Sequence, residues 1–346
     1  MNIFLDDSKC REQLLPFTYT RHVADIRIGI LTIREKWESI TGQSVVTNPE
    51  VKEEDCIIIN AHILPTRSSA KNIIQAAKDK TLILETEEIK MLHHPWQIFQ
   101  YNDWAIRNDF ELLTYNRESQ PVSHTNHCTN PKNIFLEEAG IAEHCFLNAE
   151  AGPIYIGKNA EIMEGSMIRG PFSIGEKSVV KMGSKIYGAT SIGPFCVAGG
   201  EIKNSVLFGY TNKAHDGYLG DSVIGEWCNL GAGTSNSNIK NTGGIVKYII
   251  DKNSNEIPAG NKAGLLMGDY SRAAINTSFN TGTTVGVCCN IFGARPDKFV
   301  NNFSWGDERY IFEKVLADIS NWKKMKGKQL SSSEIEILHQ LYLSNK

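Results

Sequence analysis

Three ionisable side chains fall within four consecutive positions of the sequence, namely Lys213, His215 and Asp216. Imidazole titrates near neutral pH, so His215 could take a proton from an attacking amine or hydroxyl. Asp216 is the nearest carboxylate and could fix the tautomer of that ring, although adjacent side chains often diverge. Lys213 could contact a phosphate or be an ordinary surface charge. These residue types favour His215 as a general base, with a solvated loop histidine as the alternative.

A glycine-rich turn, Gly231–Thr234, follows these residues. Acyl transfer from a thioester needs no covalent enzyme intermediate, but it does need donors for the oxyanion that forms when the carbonyl is attacked. We therefore predict that the backbone N–H groups of Gly231 and Gly233 supply that stabilisation.

A six-residue repeat must position this region. Aliphatic residues recur in perfect step at Ile156, Ile162, Ile168, Ile174, Val180, Ile186 and Ile192. A period of six fits neither an α-helix nor a simple alternating strand. It is typical of a solenoid in which three short faces close a triangular coil, with aliphatic side chains inside and small residues at the corners. The alternative, a β-sandwich with coincidental spacing, is disfavoured by seven residues in register.

The repeat continues in other phases along the chain. One phase comprises Val206, Ile224 and Leu230, with a loop expected to intrude at residues 210–217. Another comprises Met267, Ala273, Phe279, Val285 and Ile291. The polar segment 240–264 predicts a second excursion, and Ile141 with Leu147 predicts an earlier coil.

The N-terminal third has no such repeat and reads as an α/β unit. IFLDD, CIIIN (residues 56–60) and TLILE (residues 81–85) are typical of buried strands. Residues 66–80 have helical spacing, with Ser68 or Ser69 as the cap. Strand, helix and strand in that order predict a parallel sheet. Residues 95–113 predict a helical segment that bridges towards the solenoid.

The C-terminal tail has helical spacing in residues 309–326 and 331–343. Ser332 or Ser333 with Glu336 resembles a capping box. We expect these helices to cover the open end of the solenoid.

Composition excludes several classes of protein. The formal net charge is −3 and no long basic run exists, which disfavours nucleic-acid and anionic-membrane partners. The start becomes acidic at Asp6, so we expect no signal peptide, and the sequence contains no stretch of about 20 apolar residues. The eight cysteines lack metal-ligand spacing, and the adjacent Cys288 and Cys289 are poorly placed for a disulfide. A cytoplasmic protein with reduced thiols is the expectation.

The repeat resembles that of hexapeptide-repeat acyltransferases, which form left-handed parallel β-helices and are usually trimers with active sites between subunits. The segment Leu14–Glu38 resembles the opening of sugar nucleotidyltransferases. A nucleotidyltransferase-like sheet followed by a hexapeptide helix is the order found in the bifunctional uridyltransferase/acetyltransferase GlmU. The chain is thus similar to a GlmU-like family of sugar nucleotidyltransferases, and is expected to fold as a Rossmann-like α/β domain, a left-handed parallel β-helix and C-terminal helices.

The N-terminal part departs from that family where nucleotides bind. The stretch LDDSKCREQLLP has no glycine to cradle phosphates, and Asn60-Ala61 replaces the Gly-Asp that holds Mg²⁺. Asp6 and Asp7 are weak substitutes as metal ligands. Four cations could still meet phosphates, namely Arg21, Arg27, Arg34 and Lys36. Mg²⁺ is therefore expected only if this domain is active, and structural ion pairs are the alternative role for these charges.

The family's acetyl-transfer passage is matched around His215. The sequences Tyr218–Asp221 and Asn229–Thr234 follow it closely, and His215 stands where the family has its general base. Tyr218 and Asn238 are the predicted substrate contacts. Ile239 and Lys240 replace the Tyr and Asp that follow the family's Asn, which leaves the amino-sugar substrate open. Coenzyme A is expected along the later coils, near Asn276 to Asn290.

We predict three regions: residues 1–132 as a degenerate nucleotidyltransferase-like domain with a linking helix, 133–300 as the β-helix and 301–346 as the helical tail. The function expected is acyl, most simply acetyl, transfer from acyl-CoA to a sugar phosphate or nucleotide sugar, by a homotrimer in nucleotide-sugar biosynthesis. The alternatives are a sugar-1-phosphate nucleotidyltransferase and a non-catalytic trimeric scaffold that binds sugar nucleotides.

Overall fold

The computed structural model describes residues 2–47, 56–293 and 296–345. In the N-terminal region the elements are β1 (Asn2–Asp6), β2 (Arg27–Ile28), β3 (Leu31–Thr32), α1 (Ile33–Thr41), β4 (Val45–Val46), β5 (Cys56–Asn60), β6 (Ile63–Leu64), α2 (Ala70–Lys78), β7 (Lys90–Met91), α3 (Gln97–Gln100) and α4 (Asn102–Thr114). The sheet order β4-β1-β5 is parallel, as predicted. Thr32 and Glu35 start α1 with a capping box, and Gly42 ends it in the left-handed conformation.

Short strands then follow one another to the end of the repeat region. They are β8 (His127–Thr129), β9 (Ile134–Leu136), β10 (Ile141–Ala142), β11 (Phe146–Asn148), β12 (Ile154–Ile156), β13 (Glu161–Ile162), β14 (Met167–Arg169), β15 (Phe172–Ile174), β16 (Val179–Val180), β17 (Lys185–Tyr187), β18 (Thr190–Ile192), β19 (Val197–Ala198), β20 (Glu201–Lys203), β21 (Val206–Leu207), β22 (Asn212–Lys213), β23 (Tyr218–Gly220), β24 (Val223–Ile224), β25 (Asn229–Leu230), β26 (Ser235–Asn236), β27 (Val246–Tyr248), β28 (Ile257–Gly260), β29 (Leu265–Met267), β30 (Arg272–Ala273), β31 (Ser278–Phe279), β32 (Thr283–Val285), β33 (Asn290–Ile291), β34 (Phe299–Val300), β35 (Ser304–Trp305) and β36 (Glu308–Arg309).

These strands form a β-solenoid of about ten turns. Its three faces are parallel ladders: β8-β11-β14-β17-β20-β23, then β9-β12-β15-β18-β21-β24-β29-β32-β34, and β10-β13-β16-β19-β22-β25-β30-β33-β35, to which β36 adds antiparallel. The seven aliphatic residues from Ile156 to Ile192 all lie in the solenoid core, as do the five from Met267 to Ile291. The predicted fold class, an α/β unit followed by a parallel β-helix and C-terminal helices, is confirmed. The limits proposed for the three regions stay predictions.

The middle phase of the repeat was predicted correctly at Ile224 and Leu230, which lie in the solenoid core, but wrongly at Val206. Leu207, Lys213 and Leu219 stand six apart in the inward column, so no loop intrudes at residues 210–217. The phase changes because corners are shortened, most of all between Ala198 and Ile202, which are only four residues apart. Val206 therefore points out of the solenoid and packs against the N-terminal region.

Two smaller predictions also fail. Residues 81–85 form no strand, and Leu82 and Leu84 are 83% and 64% exposed, because among the described residues β5 pairs with β1 alone. In the first coils the inward residue is Ala142, whereas Ile141 is half exposed.

The second excursion is a hairpin, β27 and β28, that joins the two halves. Its residues Val246, Tyr248 and Ala259 share one buried cluster with the N-terminal core and with Val206 and Phe208 of the solenoid. Asn102, at the start of α4, adds a polar link: its side chain accepts from Gly29 N–H and Ser191 Oγ, and donates to the Ala189 carbonyl. The predicted bridge by this helical segment is confirmed.

Two helices end the chain, α5 (Phe312–Met325) and α6 (Ser332–Ser344). They lie along one corner rather than only across the open end, because Val315, Ile319 and Leu338 pack on a column that includes Trp227, Tyr270 and Phe303. The capping box of α6 is formed by Ser331 and Glu334, not by the predicted Ser332 or Ser333 with Glu336. All eight cysteines are free thiols, and no described helix is long and apolar enough to cross a bilayer.

Candidate active site

His215 and Asp216 stand on a four-residue corner, residues 214–217, between β22 and β23. Both side chains are exposed. Gly217 closes the corner with φ near +123°, and a Cβ there would lie 2.1 Å from the Thr234 carbonyl oxygen, so only glycine fits. Among the described residues, no hydrogen bond or ion pair joins the imidazole to the Asp216 carboxylate. The structure thus presents the imidazole to solvent without the carboxylate partner that the sequence suggested.

Lys213 is neither a surface charge nor exposed to a phosphate. It occupies an inward position of the solenoid, in register with Ala198, and its side chain is 1% exposed. Its Nζ donates to the Gly199 carbonyl at 3.0 Å and to the His215 carbonyl at 2.5 Å. Burial lowers its pKa to about 8, and the Asp216 carboxylate partly offsets that effect. A count of six residues forward from Leu207 predicts this inward position of Lys213, whereas the residue type alone does not.

The glycine-rich turn lies on the next coil, directly above this corner. Gly233 N–H donates to the Asp216 carbonyl at 2.9 Å, and Gly231 N–H donates to the Ala273 carbonyl at 2.9 Å. Both predicted oxyanion donors are therefore already used within the coil. The bond from Gly233 holds the His215 corner and that from Gly231 holds the coil above, so an oxyanion would need other donors.

Two predicted substrate contacts are neighbours on the adjoining face. Asn238 Nδ2 donates to Tyr218 Oη at 3.0 Å and also to the Asp221 carboxylate. Asn204 Nδ2 donates to the other oxygen of Asp221 at 2.7 Å. Burial, with the Asp221 carboxylate and other nearby acidic groups, raises the pKa of Tyr218, so the phenol stays neutral. The result is a fixed polar patch of one phenol and two amides beside the histidine corner.

The later coils approach the same corner. The Asn276 amide N–H donates to the Ala232 carbonyl at 2.7 Å. A Cβ on Gly233 would lie 2.1 Å from the Asn276 side-chain oxygen, so the glycine lets this side chain lie against the turn. The region where coenzyme A is expected thus begins one coil above the glycine-rich turn.

The cations predicted to bind phosphates in the N-terminal region are all engaged elsewhere. Arg21 forms ion pairs with Asp269 and, at 3.4 Å, with Glu226, both on the solenoid. Lys36 is 1% exposed and its Nζ lies 2.5 Å from both carboxylate oxygens of Asp109. The remaining two contact neighbours in the chain: Arg27 donates to the Ile30 carbonyl and to Glu35, and Arg34 pairs with Asp25 at 2.6 Å.

The two aspartates considered as metal ligands are also occupied. Asp6 accepts from the backbone and hydroxyl of Ser8. Asp7 accepts from Arg11 and from Val23 N–H, and its carboxylate lies 3.3 Å from His22 Nε2. Burial raises the pKa of Asp7, but these partners lower it more, to about 2. Within the described ranges no three His, Cys, Asp or Glu side chains are grouped to hold a metal, so these residues do not fit Mg²⁺.

Comparisons with known proteins agree with the resemblance of the N-terminal region to sugar nucleotidyltransferases. A family model described as sugar nucleotidyl transferase matches residues 2–87 and 71–118. The bifunctional protein GlmU of Methanocaldococcus jannaschii is 35% identical over 119 residues, 33% of this chain and 28% of that protein. GlmU of Methanococcus vannielii is 27% identical over 202 residues, 56% and 40% of the two chains.

Two other proteins complete the comparison. A bifunctional sugar-1-phosphate nucleotidylyltransferase/acetyltransferase of Sulfurisphaera tokodaii is 33% identical over 102 residues, 29% and 24% of the two chains. The crystal structure of a hexapeptide transferase family protein from Anaplasma phagocytophilum aligns with a TM-score of 0.24 at 16% identity, over 58% of this chain and 87% of that one. The matches span less than half the length of the curated relatives. The family model and the curated relatives therefore show that the chain is similar to sugar nucleotidyltransferases of the GlmU type, with the family model matching residues 2–118.

Proposed function

We propose that this protein is a transferase of sugar-nucleotide metabolism that moves an acyl group, most simply acetyl, from acyl-CoA to a sugar phosphate or nucleotide sugar. The observation that carries the proposal is the state of His215. Its imidazole is exposed and lacks any side-chain partner among the described residues, while its backbone is held by Lys213 from inside the coil. A ring that is free to accept a proton on a fixed backbone suits general base catalysis.

The reaction needs one proton acceptor and no covalent enzyme intermediate. A nitrogen of the His215 imidazole takes the proton from the amine or hydroxyl of the acceptor as that group attacks the thioester carbonyl. The carbon–sulfur bond then breaks, the new amide or ester is released, and the thiolate of coenzyme A takes up the proton from the imidazolium.

The acceptor is proposed to bind over the patch formed by Tyr218 and Asn238. The phenol and the amide are fixed to each other and to Asp221, so they can present hydrogen bonds to sugar hydroxyls without further ordering. Coenzyme A is proposed to lie along the coils above, between Asn276 and Asn290.

A homotrimer is part of the proposal. Met182 and Ile275 lie on the same corner as His215, below and above it, and are 65% and 69% exposed. A second copy that covered this corner would bury both side chains and enclose the imidazole. Enclosure would also exclude water from the thioester.

Nucleotidyl transfer by the N-terminal region is the second candidate, and the family match favours it. Against it stand the engaged cations Arg21, Arg27 and Lys36, and the Asn60-Ala61 sequence at the position of the family's metal ligand. A scaffold that binds sugar nucleotides without chemistry is the third candidate. The exposed imidazole of His215 is compatible with catalysis, which disfavours this third candidate.

A panel of two assays separates these candidates. Purified protein receives acetyl-CoA with amino-sugar phosphates or nucleotide sugars, and release of the thiol is measured. In parallel it receives NTP, Mg²⁺ and sugar 1-phosphates, and release of pyrophosphate is measured. Thiol release supports the proposal, pyrophosphate release supports the second candidate, and silence in both with ligand-induced thermal shifts supports the third.

A further inference from the structure

Lys213 is a charged residue in the aliphatic column of the solenoid. Ala198 lies below it in register, and Leu230 follows Asn229, the residue paired with Asn212, on the coil above. Both are core residues. Placing an ammonium there is costly unless its N–H groups find acceptors, so the position calls for a specific reason.

The acceptors of Lys213 connect two coils at the His215 corner. Gly199 belongs to the coil below and His215 to the same coil, and both accept through their carbonyls. The corner below is short, since only Gly199 and Gly200 separate β19 from β20, whereas four residues separate β22 from β23. The longer corner therefore overhangs a shorter one, and the ammonium joins them.

Two glycines let the corners approach closely enough for this contact. A Cβ on Gly199 would lie 2.4 Å from the Ala214 carbonyl oxygen, and a Cβ on Gly200 would lie 2.7 Å from that of His215. Any side chain at either position would push the His215 corner away from the coil below. The glycines supply the space, and Lys213 supplies the attraction.

We propose that Lys213 is the positioning residue of this site, whose buried ammonium ties the His215 backbone to Gly199 and so sets where the imidazole stands. The importance of that position rests on the proposed function of His215, but the contact itself does not. Lys213 would not touch substrate, and it acts only through the backbone of the histidine.

The protonation state of Lys213 links the corner to pH. Burial lowers the pKa of Lys213 to about 8. The charged group that acts on it is Asp216, on its own corner. His215 lies on the same corner, Lys181 lies two coils below beside Gly199, and residues 229–234 on the coil above include no ionisable group. Because this pKa is lower in the closed corner than in water, an opening that releases the lysine takes up a proton, so the corner opens less readily as the pH rises above about 8.

Hydrogen exchange measured by mass spectrometry tests the contact directly. Two amides report on the corner: Gly233 N–H donates to the Asp216 carbonyl, and Glu201 N–H donates to the Gly217 carbonyl. In Lys213→Met these amides should exchange about tenfold faster, the effect of losing roughly one charged hydrogen bond. Lys185→Met, which removes an exposed lysine from the adjoining face, should leave them unchanged. Wild-type protection in a folded Lys213→Met protein would overturn the proposal.

A second arm uses the unaltered protein, in case the variant does not fold. Protection of the same two amides, corrected for the intrinsic rate at each pH, is compared at about pH 7 and about pH 9, either side of the Lys213 pKa. A selective gain of protection at the higher pH supports the proposal, because release of the lysine is then no longer coupled to uptake of a proton. Equal protection at both pH values contradicts it.

Activity separates this inference from the proposed function. If wild-type protein releases thiol, Lys213→Met should lower kcat far more than it raises KM, because the base is misplaced while the acceptor patch is intact. A loosened corner in a protein without any thiol release would sink the proposed function and leave the positioning role standing. Wild-type protection of the corner in a Lys213→Met protein that still releases thiol would overturn the positioning role and leave the proposed function standing.

Discussion

Arg21, in the N-terminal region, is paired with Asp269 on the solenoid, and both side chains are almost completely buried. Thr20 Oγ1 donates to the same carboxylate at 2.5 Å, and Glu226 lies 3.4 Å from the guanidinium. A cation that could have met a triphosphate instead fastens the two halves of the molecule together. In the N-terminal region the charge of Arg21 is thus used for contacts within the chain.

Removing Arg21 should destabilise the whole molecule. Arg21→Ala leaves the Asp269 carboxylate buried without its cation, and such changes cost about 3 kcal/mol or more in free energy of unfolding. Chemical denaturation followed by circular dichroism measures the loss. Lys158→Ala, which breaks an exposed pair with Glu138, is the matched control and should have no measurable effect. An Arg21→Ala protein as stable as the control would show that the pair does not join the halves.

Lys213→Leu should raise stability while it impairs the corner. The pKa of Lys213 falls from 10.5 to about 8 on folding, so the unfolded chain binds the proton more tightly. Stability of the wild-type protein therefore rises with pH between about 8 and 10.5, and the charged lysine is unfavourable below that window. Leucine removes this cost, at most about 3 kcal/mol at neutral pH.

Denaturation of wild type and Lys213→Leu across that pH window provides the check. The stability advantage of the variant should be largest at about pH 7 and should shrink as the pH approaches about 10. A variant that is less stable than wild type at every pH would mean that the two carbonyl contacts outweigh the burial cost.

Nucleotidyl transfer should be absent. With Arg21, Arg27 and Lys36 engaged and with Asp6 and Asp7 occupied, no free charge remains among these residues for a triphosphate or Mg²⁺. Pyrophosphate release from NTP and sugar 1-phosphates should stay at the level of a boiled sample. Release that persists in His215→Ala would establish the second candidate function instead.

Asn238 should affect acceptor binding rather than the fold. Asn238→Ala removes the donor to Tyr218, while Asp221 keeps its bond from Asn204. We expect KM for the sugar acceptor to rise about tenfold and KM for acyl-CoA to stay unchanged. Asn204→Gly is the control, because it removes the other donor to Asp221 and glycine accepts the left-handed backbone at that position. Equal effects of the two variants would indicate that only Asp221 matters.

The sequence was sufficient for the fold because aliphatic periodicity reports inward positions directly. Ile156 to Ile192 recur every six residues, and all seven lie in the core. A six-residue count gives the wrong facing where a shortened corner interrupts the repeat. Val206 was placed inside by counting from Ile224, but a shortened corner had shifted the phase by one residue, and a strand position reverses its facing with each residue.

Site residues were harder to predict because residue type does not show what a side chain already contacts. His215 is exposed, but it lies on a regular corner of the solenoid and not on the intruding loop that was predicted. Arg21, Arg27 and Lys36 were assigned to phosphates because they are cations near a family motif, but all three contact other parts of the chain. Their partners come from remote parts of the chain, such as Asp109 and Asp269, or from backbone carbonyls. Lys213 escaped notice because lysine is seldom expected in an aliphatic column.

The central claim is that His215 acts as the base of an acyl transfer, and thiol release from acetyl-CoA with a panel of sugar phosphates and nucleotide sugars tests it most directly. His215→Asn is compared with His144→Asn, an exposed histidine on the same corner several coils away. We predict that His215→Asn lowers kcat by at least about a hundredfold and removes the rise of activity near neutral pH, while His144→Asn behaves as wild type. Equal activity of the two variants with the best acceptor would contradict the account.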